Sequence, residues 1–238
     1  MMSHARQRFV GSQMLVWSLV IGGVAAAEEP EGLRQLDPKQ PIWIDAARKR
    51  VVLVGKVCLR EGQLEMLVCP SGTKEHESVL GVPVEAFKVH AALLAVGAEP
   101  GHPARFLPTY QPARGTQVEI WLFWTGEDGQ RKRCRAQDWV RYAGTQKTLE
   151  HSWVFGGSGF WKDETIGTQH YQADAGDLIC VSNFPTAMLD LPIASSDKAG
   201  QLSFEPFTER IPPLGTPVTI VLKPVLKAQE NSGPKSDQ

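Results

Sequence analysis

Hydrophobic and polar positions alternate along much of this chain, and a single stretch departs from that period. Alternation at a spacing of two marks strands with one buried face. It runs through residues 41–45, 48–60, 63–69 and 118–125. The segments VVLVGKV and LEMLV, joined by Glu61-Gly62, read as a hairpin. That register sets Cys58 opposite roughly Glu65 and out of line with Cys69. Pro70-Ser71-Gly72 is a turn, and residues 75–80 return as a strand. Asp128-Gly129 turns 118–125 back into 130–142, where Arg131, Lys132, Arg133 and Arg135 cluster. Such a cluster suits a solvated edge strand, with an anion-binding surface as the alternative. Further on, 177–181 reads as a buried strand, 186–190 as one helical turn and 218–223 as the last strand.

The exception is residues 84–96, which follow the helical period. Phe87, His90, Ala91 and Leu94 recur at spacings of three and four and share one apolar face, read as the buried one. Pro83 and Glu85 suit a helix start, and Gly97 followed by Pro100 marks its end. Residues 98–117, rich in proline and glycine, read as a long loop. One pattern occurs twice: Pro112-x-x-Gly115-Thr116-x-Val118-x-Ile120-x-Leu122 is echoed by Pro212-x-x-Gly215-Thr216-x-Val218-x-Ile220-x-Leu222. Two related half-sheets would produce that echo, and so would the ordinary chemistry of entering a strand. The expected fold is a β-rich α+β domain over residues 41–226, with antiparallel or mixed sheets and one prominent helix at about 84–96.

Composition adds that 42% of the 238 residues are hydrophobic, enough for a sizeable core, and that the net charge of −1 gives no case for nucleic acid. Residues 1–27 carry a basic start with Arg6 and Arg8, an apolar run and Ala25-Ala26-Ala27, the pattern of a cleaved export signal. Cleavage removes two cations and leaves 23 − 26 = −3. A retained anchor is the alternative, and no membrane span is expected after cleavage. Residues 28–40 read as a polar leader and 227–238 as a disordered tail. A periplasmic or extracellular protein meets oxidising conditions, so Cys58, Cys69, Cys134 and Cys180 form disulfides or stay buried as free thiols. None lies in a CxxC pair, so an iron–sulfur cluster is not supported and no cofactor is expected.

Candidate chemistry falls in two stretches. Glu75, His76 and Glu77, together with His90 on the helix, have the side chains for a metal or acid–base site, although no HExxH motif is present. The competing reading of His90 is a hydrogen-bonded core histidine. In the second stretch, Trp153, Phe160, Trp161, His170, Tyr171 and Asp174 are candidates for a ligand surface, since aromatic faces stack on sugars or flat ligands. Ser158 with His170 (or His151) and Asp174 spells a triad on paper without a spacing signature. Gly156-Gly157-Ser158-Gly159 is neither a phosphate loop nor a nucleophile elbow, because Phe160 stands where the last glycine belongs.

The segments VVLVGKVCLREGQLEMLVC, TKEHESVL, VHAALLAVGAEPG and GDLICVSNFPTAMLDLP resemble the YdjY-domain proteins, a family of exported bacterial proteins, over about residues 41–226. The resemblance implies export and carries over no activity, substrate or catalytic residue. Some relatives are labelled ferredoxin-like, a role that the cysteine spacing here does not support. The expected function is a non-enzymatic module binding an unknown protein or small molecule. The alternative is a metal-dependent or acid–base enzyme using His76, Glu77 and His90, and a thiol redox role for Cys58, Cys69 or Cys180 comes third.

Overall fold

The structure, a computed structural model, describes residues 32–165, 167–195 and 203–226. The expected export signal, residues 28–31 of the expected leader and the expected tail lie outside the described residues. In chain order the strands begin with β1 (Arg34–Gln35), β2 (Ile42–Asp45), β3 (Arg50–Val57), β4 (Met66–Pro70) and β5 (Ser78–Val82). Helix α1 (Ala86–Ala95) follows, then β6 (Pro100–His102), β7 (Arg114–Gly115), β8 (Gln117–Thr125), β9 (Arg131–Arg135) and β10 (Val140–Tyr142). The remainder are β11 (Trp153–Phe155), β12 (Phe160–Lys162), β13 (Gln169–Tyr171), β14 (Ile179–Cys180), β15 (Leu189–Asp190), β16 (Phe204–Pro206) and β17 (Pro217–Pro224).

Eight strands form a closed ring, β3-β17-β8-β11-β15-β14-β4-β5, because β5 pairs back onto β3. Closure removes the exposed edges that an open sheet would carry. The pairings are antiparallel except β4–β5 and β14–β15, which are parallel. Alternation decides what fills the barrel: Val51, Leu53 and Val57 of β3, Val118, Ile120 and Leu122 of β8, and Val218, Ile220 and Leu222 of β17 all join one buried core. The two echoed segments are direct neighbours, with Ile220 opposite Leu122 and Leu222 opposite Ile120. They belong to one sheet, not to two half-sheets.

Four local expectations are corrected. β3 and β4 do not pair as a hairpin: the turn at Gly62 exists, with φ +108°, but the two strands flank β5, whose five residues are all buried. Residues 75–77 form a 3-10 turn before β5 begins. The 98–117 loop is fastened at its ends by pairing of β6 with β7. Residues 186–190 hold no helical turn, because Leu189–Asp190 is a barrel strand whose Asp190 is fully buried.

Among the described residues α1 is the single α-helix, and it packs against β2 and β3. Its stop is as expected: Gly97 takes φ +93°, its N–H bonds Leu94 O, and the Ala98 N–H bonds Leu93 O, the two bonds of a Schellman motif. Its buried face is not the expected one. Ala86, Val89, Ala92 and Leu93 are sealed from water, whereas Phe87 and Leu94 each remain 46% exposed. The sequence AFKVHAALLA is apolar on both sides, so period alone could not choose between them.

Candidate functional site

Three neighbourhoods bring chemistry together. The first is the 70–78 turn. The Glu75 carboxylate accepts the Gly72 N–H, and that bond holds its pKa below the ordinary range. Lys74 reaches inward, with Nζ 3.1 Å from Asp177 Oδ1, 3.5 Å from Glu77 and 4.6 Å above the Phe184 ring. Burial works against its charge, but Asp177 and Glu77 prevail and raise its pKa. Asp177 also accepts the Thr186 hydroxyl. The His76 side chain is 75% exposed and stands 3.9 Å from Glu77.

The second neighbourhood lies on the same turn. Cys58 Sγ donates to Ser78 O at 3.0 Å, and Cys69 lies in β4 opposite Gly81. The neighbouring Cys58 thiol, with Ser78, the Lys74 N–H and Thr73, brings Cys69 down to about 7 against the effect of burial. The Cys69 thiol and burial together push Cys58 far up. Cys134 and Cys180 lie elsewhere, and burial raises both. All four cysteines stand as free thiols.

The third neighbourhood joins α1 to the β12–β13 hairpin. The Tyr171 hydroxyl donates to Gly157 O at 3.0 Å, so its oxygen accepts from His90 Nδ1 at 2.8 Å. His90 also meets Phe155 edge-on at 4.8 Å, and burial lowers its pKa. It is a hydrogen-bonded, half-buried histidine with a fixed tautomer. Phe87, Phe160 and Tyr171 pack as a triangle with ring centroids 5.2–5.9 Å apart. On the other face of the hairpin Trp161 stacks on His170 at 4.7 Å and 22°. Phe160 is 54% and Trp161 49% exposed, so rings fixed by their neighbours face water.

The sequence-derived candidates therefore divide. Phe160 and Tyr171 converge with Phe87, which the expected helix face had turned inward, while Trp161 and His170, one register step along, pair on the other face of the hairpin. Trp153 is a core residue whose Nε1 bonds Cys180 O at 2.7 Å. Asp174 accepts the Phe87 N–H at 3.1 Å and caps α1, and burial raises its pKa despite that bond. The paper triad does not assemble: Ser158, held at φ +52°, donates to Thr186 O at 2.6 Å, while His170 and Asp174 have the partners just named. His76 and His90 share no hydrogen bond, ion pair or ring contact, and among the described residues no three His, Cys, Asp or Glu side chains converge to hold a metal.

Two features had no sequence signal. Asp190, fully buried, bonds the Asn183 side chain at 2.9 Å and the Leu191 N–H at 2.7 Å, and burial pushes its carboxyl up to about 7. An open groove of about 790 Å³ runs between Trp124 and residues 209–213. Its Arg60 is committed to the Ile211 and Thr208 carbonyls and its Lys132 to Asp128, which leaves the aromatic surface as the better candidate.

Comparison with known proteins places residues 42–223 in the YdjY domain family. No curated protein and no solved structure matches the chain. No helix among the described residues is long and apolar enough to cross a membrane. The chain belongs to the YdjY domain family.

Proposed function

We propose that this YdjY domain is an exported, non-enzymatic binding module that receives a sugar ring or other flat ligand on the aromatic surface of α1 and the β12–β13 hairpin. The observation that carries the reading is the exposure of large rings oriented by neighbours yet facing water, Phe87 and Phe160 on one face of the hairpin and Trp161 on the other. Pre-oriented rings bind a flat partner with little further ordering cost, which is the usual advantage of aromatic anchors. Export rests on the basic, apolar and small-residue pattern of residues 1–27. Its check is the mass of the protein recovered from outside the cytoplasm, expected to start at Glu28.

The binding test is a fluorescence titration of the full mature chain and its Trp161→Phe variant with maltohexaose, cellohexaose, chitohexaose and bis-ANS. At least one probe should quench emission saturably in the parent, the quench should vanish with Trp161, and Phe160→Ala should weaken binding about tenfold or more. No saturable binding of any probe, or binding indifferent to both substitutions, would remove the surface from consideration.

A further inference from the structure

The outer wall of the barrel carries a basic, aromatic face on strands that take no part in the α1 surface. Strand β9 is attached to the ring through β8 alone, with Arg131, Arg133 and Arg135 opposite Thr125, Phe123 and Trp121. Paired residues share a face, and alternation turns these away from the core that Ile120 and Leu122 fill. The register continues across the sheet: Trp121 stands opposite Val221 of β17, and Val221 opposite Val52 of β3, so the middle of the face is apolar. Trp121 and Phe123 are half-buried, and the Arg133 guanidinium lies 6.0 Å over the Trp121 ring. A hollow of about 190 Å³ opens among them, lined by Arg50, Lys223, Val221, Trp121, Phe123 and Arg133.

In a chain of net charge −1 this face holds a local excess of cations. Two carboxylates share it: Asp45 is taken by Arg48 and Arg50, and Glu119 stands opposite Lys223. Among the described residues no carboxylate comes within ion-pair reach of the exposed Arg131, Arg133 or Arg135, whereas Lys132, on the other face of β9, meets Asp128. Protection of an edge strand accounts for these charges but not for two aromatic rings and a hollow set among them. We propose that this face docks the chain on a bilayer surface rich in anionic phospholipid, without spanning it. The guanidinium groups pair with lipid phosphates, while their stems lie along apolar surface. Trp121 and Phe123 meet the headgroup layer, where rings with one wet side are at home, and the hollow receives a headgroup phosphate between Lys223 and Arg133. A soluble polyanion would engage the cations and leave the rings idle, so an amphiphilic partner fits the face better. Binding of this kind adds apolar burial to charge, and each arginine near an anionic surface is worth roughly fivefold in affinity.

The test is co-sedimentation of the full mature chain with vesicles of phosphatidylglycerol mixed with phosphatidylcholine, against vesicles of phosphatidylcholine alone, with circular dichroism of each variant alongside. The chain should sediment with the anionic vesicles at about 0.1 M salt, be released at about 1 M and ignore the neutral ones. Replacing Arg131, Arg133 and Arg135 together by Gln should weaken binding at least about 30-fold, as the loss of three cations requires. Trp121→Ser, which leaves the charge unchanged, should weaken it about fivefold or more, and Trp161→Ser on the α1 side should have no effect. The triple arginine variant keeps the test valid should Trp121→Ser fail to fold, because all three arginines are exposed. Equal binding to neutral vesicles, no retention on anionic ones, or full affinity in the folded triple variant would refute the docking face. So would capture of soluble polyglutamate without retention on vesicles, which would assign the face to an acidic protein.

Discussion

On the inner side of α1, Ala86, Val89, Ala92 and Leu93 are closed off by the barrel, whereas on its outer side Phe87 and Leu94 keep almost half their surface in water. The outer residues are as apolar as the inner ones, so hydrophobicity does not distinguish them. What differs is the opposing layer. The inner face meets the continuous apolar wall of β2 and β3, and the outer face meets only a short hairpin, which contributes Phe160 and Tyr171 and stops. An apolar face half-covered by rigid aromatic rings is a surface available to something else, and the proposed function rests on that difference.

The largest effect that sharpens the contrast comes from paired truncations. Leu93→Ala should cost about 2–5 kcal/mol as a buried large-to-small change. Leu94→Ala should cost less than about 1 kcal/mol, both read from urea unfolding midpoints at constant slope. Equal costs would mean that the two faces are not distinct.

Asp190 tests the barrel side by pH. Its folded pKa of about 7 lies above the ordinary aspartate value of 3.8, so between those values the native state holds a proton that the unfolded chain has released. Its contribution is therefore complete below about pH 4 and is lost as pH rises through about 7, with a slope of at most about 1.4 kcal/mol per unit. Asp190→Asn should flatten that decline, and an unchanged profile would show that the carboxyl is not the titrating group. At the junction of the two regions, Asp174→Ala should cost about 1 kcal/mol through loss of the helix cap. Smallest of all, Trp161→Ser should change stability by no more than about 0.5 kcal/mol while abolishing ligand binding. A Trp161→Ser variant that unfolds would place that ring in the structural framework.

The parts legible in the sequence are those set by neighbours along the chain. Val118, Ile120 and Leu122 and their echo at Val218, Ile220 and Leu222 lie on the buried face that alternation indicated, and Gly97 ends the helix as its chemistry required. Legibility failed where partners are distant. Nothing local shows that β5 slips between β3 and β4, and so puts Cys58 and Cys69 along its two edges. Nor could spacing assign Asp174, which looks like a catalytic acid beside His170 until the amide of Phe87 claims it. The helix face was misjudged for a related reason: with apolar residues on both sides, only the barrel wall decides which is buried.

The most direct measurement is a ¹H–¹⁵N spectrum of the mature chain, recorded with and without whichever titrated probe binds, in which the indole resonances serve as position markers. The account predicts that the Trp161 indole shifts together with amides around Phe87 and Phe160, while the Trp153 indole inside the barrel and the Trp124 indole at the open groove stay in place. Shifts centred on Trp124, with Trp161 unmoved, would contradict it.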